Sequence, residues 1–156
     1  MKNPLDGLFG DDADEVFGES EAPVTQADID AWEEEYQMPL PPAFAQYLLQ
    51  YNGSAFGLGA VVVQEDDEDS IERILSIVHG KPNRVEDLLD QDERPEGFFP
   101  VARGLGAVEF CIRSDDGSVY VMYYDGSEDE PREVAETFGA FLLSIETDGE
   151  EEDDWL

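Results

Sequence analysis

An α+β fold in a single domain, an antiparallel sheet with an N-terminal helix pair and a C-terminal helix packed on it, is predicted by three features of the sequence. Apolar residues recur at helical spacing in two consecutive stretches after Thr25. Two alternating apolar strands flank Asp116-Gly117, and a last helical stripe runs from Val134 to Ile145.

Thr25 opens the first helix with Asp28 as its capping-box partner, and Ile29, Trp32 and Tyr36 form one apolar stripe over 26–37. Trp32 is read as core, with a projecting anchor for a partner as the alternative. Leu40-Pro-Pro42 breaks and restarts the chain. Phe44, Tyr47, Leu48 and Tyr51 then make a second helix that stops at Asn52-Gly53. The β-branched run at 60–63 is too short for a helix and reads as a strand, followed by an acidic loop at 65–69. The stretch 71–78 fits a helix through Ile71, Ile74, Leu75 and Val78 or a rougher strand through Ile71, Leu75 and Ile77, and the strand is preferred.

Asn83 and Glu86 predict another capping pair, for a helix near 84–91. Residues 98–102 read as an edge strand, because Pro100 has no amide to donate to a central ladder. With Asp116-Gly117 as a two-residue type I′ turn, Ile112 faces Val121 and Phe110 faces Tyr123. Val108, Phe110, Ile112, Val121 and Tyr123 would then line the core, while Glu109, Cys111, Arg113, Tyr120, Met122 and Tyr124 form a mixed, partly exposed face. Pro131 and Glu133 suit the start of the closing helix, whose stripe is Val134, Phe138, Phe141, Leu142 and Ile145.

Forty acidic residues stand against eight basic ones, a net charge of −32 on 156 residues. Such a surface repels phosphate backbones and anionic membranes and attracts cations or basic proteins. Residues 1–24 carry −6 and residues 146–156 carry −7, which leaves −19 on the stretch between them. The ends read as solvated acidic tails, 1–23 and 146–156, around a domain at 24–145. Salt adaptation acidifies every face of a protein and sheds lysine, and two Lys against six Arg fit that explanation too. The two explanations separate in space, because a binding site concentrates charge on one face.

No apolar stretch is long enough for a bilayer crossing or a secretory signal, and Cys111 stands alone, so a soluble cytoplasmic protein without an internal disulfide is expected. Catalytic chemistry has little to work with. His79 is the single histidine and precedes a Gly80-Lys-Pro82 turn; Cys111 reads as a packing residue. The glycines at 53, 57 and 59 match no phosphate-binding loop, and residues 125–130 lack the spacing of an EF-hand. Neither catalytic residues, metal ligands nor a cofactor are expected.

Several segments together are similar to the SUKH superfamily, the domains related to the fungal cell-wall-assembly regulator and abundant in bacteria as immunity proteins of polymorphic toxin systems. They are "VTQADIDAWEEEYQMPLPPAFAQYLLQYNGSAFG", "FFPVARGLGAVEFCI", "GSVYVMYYD" and "VAETFGAFLLSI". The carrying residues are Leu40, Pro41 and Phe44 at the second helix, Asn52-Gly53 at its end, Gly106 before the hairpin, and Val134, Ala135, Thr137, Phe138, Phe141 and Leu142. The resemblance spans roughly residues 24–145. It implies a non-enzymatic α+β domain that binds and neutralises a cognate toxin, often a nuclease or deaminase, while some relatives serve as regulators or scaffolds. No contact residue transfers by position. Charge and resemblance together predict a basic toxin as partner, with no nucleic acid and no membrane. The contacts are expected at Glu65, Asp66, Asp67, Glu68 and Asp69, with a second cluster at Glu128, Asp129 and Glu130.

Overall fold

The structure is a computed structural model, and it describes residues 24–56, 60–63, 68–79, 84–88, 97–104, 108–124 and 131–146. Helix α1 spans Gln26–Tyr36 and opens with the expected capping box. The Thr25 hydroxyl accepts the Asp28 N–H at 3.2 Å, and the Asp28 carboxylate accepts the Thr25 N–H at 2.8 Å. Gln37 ends the helix in the left-handed region. Helix α2, Pro42–Tyr51, starts on a proline that has no amide to leave unpaired and ends at Asn52. Asn52 also ties down a distant loop: its amide nitrogen donates to the Ile77 carbonyl at 3.1 Å and its oxygen accepts the Ile77 N–H at 3.0 Å. Gly53 follows at φ +89°, where a Cβ would lie 2.9 Å from that of Ser76, so this stop admits only glycine.

The strands are β1 (Ser54–Ala55), β2 (Val61–Val63), β3 (Glu68–Ser70), β4 (Arg73–Ile74), β5 (Phe98–Arg103), β6 (Val108–Arg113), β7 (Val119–Tyr123), β8 (Arg132–Ala135) and β9 (Ile145–Glu146). Helices α3 (Val85–Leu88) and α4 (Phe138–Leu143) interrupt the series. Two antiparallel sheets result, one in the order β1-β4-β5-β6-β7-β8 and a smaller one in the order β3-β2-β9. The helices lie on the face of the large sheet that carries Phe99, Phe110 and Ile112. Phe44 and Trp32 contact Phe99, and Phe141 contacts Phe110 at 5.3 Å between ring centres. The α+β architecture is the one predicted.

Three local expectations are corrected. Strand β5 is interior, between β4 and β6, and not an edge. Pro100 is tolerated because β4 reaches only Ala102 and Arg103, and because the register with β6 shifts between Pro100 and Ala102. The hairpin pairs Ile112 with Val119 and Phe110 with Val121, two residues from the expected register. A type I′ turn needs positive φ at both central residues. Gly117 adopts it, but the Asp116 carboxylate instead accepts the N–H and hydroxyl of Ser118, and the loop lengthens to 114–117. A shift of two preserves which side chains face the core.

The closing helix begins at Phe138 rather than near Pro131. Residues 132–135 pair with β7 as an edge strand, the Thr137 hydroxyl caps the helix through the Ala140 N–H, and Ile145 belongs to β9. The outer face of the hairpin is partly exposed, as expected: Arg113, Tyr120 and Tyr124 are half-buried, while Glu109, Cys111 and Met122 are buried. Cys111 donates to the Glu109 carboxylate, which also accepts the Tyr124 hydroxyl at 2.8 Å. Of the predicted strand 71–78, only Arg73–Ile74 forms one, and Ser76 adds an isolated bridge to Arg84. The helix predicted near 84–91 spans Val85–Leu88, and 89–91 lie outside the described residues. No helix among the described residues is long and apolar enough to cross a membrane.

Candidate acidic interface

The residues nominated from the sequence separate into three groups. Glu68 is exposed on β3, Asp69 is buried, and Glu65, Asp66, Asp67, Glu128, Asp129 and Glu130 lie outside the described residues. Strand alternation accounts for the first two. Val62, fully buried, pairs with Asp69 and with Ile145, so these three face inward. Val61, Val63, Glu68, Ser70 and Glu146 therefore share the outward face of the small sheet. Its two edge strands each present an exposed carboxylate, Glu68 and Glu146, and the acidic C-terminal run begins at the second of these.

Asp69 turns a surface charge run into an anchor. Its carboxylate accepts from Arg132 Nη2 at 3.0 Å and from the Tyr123 hydroxyl, and its side chain is 1% exposed. Tyr123 ends β7 and Arg132 begins β8, so one ion pair, its carboxylate buried and its guanidinium partly exposed, joins the small sheet to the far edge of the large one. The sequence separation between the paired residues is 63, and no local pattern links them.

Trp32, whose role was left open, is core. It is 3% exposed, lies 4.7 Å from the Tyr36 ring, and its indole N–H donates to Glu86 at 3.1 Å. Glu86, expected to cap a helix with Asn83, thus holds Trp32 on one oxygen and the Val78 N–H on the other. Asn83 lies outside the described residues. Beside Glu86, hydrogen bonding to Asp87 pushes the Arg84 guanidinium further above its ordinary range, and Arg84 also donates to the Val78 carbonyl. These bonds surround Val78, whose φ of 68° is unusual for a β-branched residue. His79 beside it is exposed, as expected of a loop residue.

One feature of the surface was not anticipated. Residues 36–64 contain no charged residue in a chain of which 31% is charged. Helix α2 falls within that stretch, and α4 is uncharged as well. Leu49 on α2 and Leu143 on α4 are 36% and 56% exposed. The acids of the described surface lie elsewhere, at Asp30, Glu34 and Glu35 on α1, at Asp115 and Asp116 in the hairpin loop, and at Glu68, Glu133, Glu136 and Glu146. An uninterrupted neutral run in so acidic a sequence was itself the available signal.

The sequence profile of the SMI1 / KNR4 family (SUKH-1) matches residues 23–144, more than three quarters of the chain. The chain belongs to this family. Every described helix and the strands β1 to β8 fall within the matched span of the SUKH-1 domain, and β9 follows directly after it. No curated protein matches the chain. The SUKH-1 assignment agrees with the α+β fold and directs attention to surfaces that bind proteins rather than to a catalytic centre.

Proposed function

We propose that this SUKH-1 domain is a cytoplasmic, non-enzymatic immunity protein that binds and neutralises a cognate toxin, a basic protein of the nuclease type. A nuclease must hold nucleic acid in a positive groove, and an acidic surface is the natural complement to such a groove. The contact residues are Glu65, Asp66, Asp67, Glu68, Glu128, Asp129 and Glu130, with Asp69 turned inward as the anchor of the surface. The observation that carries this reading is the net charge of −32 on a chain of the SUKH-1 family, with Glu68 and Glu146 exposed on the two edge strands of the small sheet.

The competing reading is a regulatory or scaffold domain acidified only by salt adaptation. Uniform acidification predicts acids on every face, and the neutral outer surfaces of α2 and α4 speak against it. Close charge pairs across acidic–basic interfaces couple by roughly 1.5–7 kcal/mol, enough to make a few carboxylates decisive.

The test is co-expression with the product of the gene adjacent to its own. The account expects that product to poison cells alone, to be tolerated with this protein, and to co-elute with it. A harmless neighbour that elutes separately would remove the immunity reading and favour the regulatory one.

A further inference from the structure

Where the β6–β7 hairpin turns, an apolar groove of about 480 Å³ opens between the start of α2 and the start of α4. Pro41, Pro42, Ile112, Gly117, Phe138 and Ala140 line it. A second recess of about 740 Å³ shares Pro41, Pro42, Ile112 and Gly117 and extends along the hairpin loop to Asp115. Both volumes fall in the roughly 300–1,000 Å³ range of clefts that enclose a small ligand or a large side chain.

The groove opens among the neutral helices, and its charges are confined to the hairpin. Asp115 is 79% exposed with Arg113 at 3.5 Å, and Arg113 also meets the Tyr120 hydroxyl. Asp116 lines both recesses. The hydroxyl of Ser118, and then its N–H, hold the Asp116 carboxyl below the usual carboxylate range, so this rim stays negative well into acid.

The geometry points to a docking site for an aromatic or branched apolar side chain carried on a basic protein segment: the side chain enters between Pro42 and Ala140, and flanking Lys or Arg residues face Asp115 and Asp116. Charge selects this occupant. Two chains of −32 repel each other, which disfavours a second copy, and an acidic or phosphorylated segment meets the same repulsion. An apolar anchor in a pocket with charged surroundings is also how protein interfaces concentrate their affinity. The inference rests on the immunity reading only for the identity of the partner; it adds the anchoring point that acidic loops alone do not supply.

The test titrates three peptides into the full chain, ¹⁵N-labelled: Lys-Lys-Trp-Lys-Lys, Lys-Lys-Ala-Lys-Lys and Glu-Glu-Trp-Glu-Glu. The basic Trp peptide is expected to shift the amides of Gly117 and residues 138–140 saturably and to bind about tenfold more tightly than the basic Ala peptide. The acidic peptide leaves these amides unmoved. Ala140→Trp, at an exposed helix position, fills the groove and removes the tenfold preference. Ala140→Arg, a second variant should the first not fold, repels both basic peptides.

Equal binding of the two basic peptides, or shifts confined to other residues, would overturn the proposal. So would peptide-free shifts that grow with protein concentration, which would place a second copy in the groove, or binding seen only after deletion of residues 2–23, which would place the chain's own N-terminal segment there. Peptide binding without any toxin complex defeats the immunity reading alone. A toxin complex indifferent to Ala140→Trp defeats this proposal alone.

Discussion

Phe138→Ala will lower the unfolding free energy by about 4 kcal/mol. Phe138 is 1% exposed and meets three other rings: edge-on to Phe44 at 5.6 Å and to Tyr47 at 5.9 Å, and stacked on Phe141 at 5.8 Å. Removing it deletes the transfer free energy of a phenyl ring, leaves a cavity among side chains that are themselves fixed, and breaks the aromatic pairs. Helix α4 has six residues, too few to persist without docking, and Phe138, Phe141 and Leu142 are its buried side chains. Urea unfolding checks the prediction through the midpoint, with the slope unchanged if the native state stays compact. A loss below about 1 kcal/mol would mean that α4 is not held through this residue.

Arg132→Met is expected to cost about 3 kcal/mol, because it leaves the Asp69 carboxylate buried without its cation. The Tyr123 hydroxyl remains as a donor, but the second carboxylate oxygen has no hydrogen-bond partner among the described residues to absorb the charge. Adding Asp69→Asn to Arg132→Met should recover part of the loss, since a neutral amide tolerates burial far better than an unpaired carboxylate. A double-mutant cycle gives a coupling of about 2 kcal/mol if the pair acts as a unit. Additive losses would show that Asp69 and Arg132 stabilise the sheets independently.

Much of the fold was legible because local chemistry and tertiary need agree. The Thr25–Asp28 box, the Pro41-Pro42 restart and the Asn52-Gly53 stop each set a helix boundary within a few residues, and alternation in β6 and β7 assigned the correct faces. Elsewhere, tertiary context overrode the local pattern. Val134 fits the helical stripe of Phe138 and Phe141, yet β7 presents an open edge, and pairing with it satisfies the backbone of 132–135. Asp116 looked like half of a type I′ turn, but its carboxylate found Ser118 instead, and the register moved by two.

The candidate surface was legible as composition and only partly as geometry. A run of five acids reads as solvated, and alternation on β3 necessarily turns one of every two inward; which one depends on pairing with Val62 and on an arginine far along the chain. That Asp69 is an anchor while Glu68 is exposed could not be read from the run alone. The neutral stretch at 36–64 could have been, because it needs no structure to be seen.

The association rate with the cognate toxin, measured as a function of ionic strength, tests the central claim most directly. With long-range attraction steering encounter, the wild-type rate approaches ~10⁸ M⁻¹s⁻¹ at low salt and falls by about 100-fold in molar salt, where the Debye length shrinks to roughly 3 Å. Reversal of Glu65, Asp66, Asp67 and Glu68 to Lys should slow low-salt association and flatten that dependence while leaving the unfolding midpoint in place. A rate that ignores both salt and the four reversals would contradict the account, and place binding on another surface of the domain.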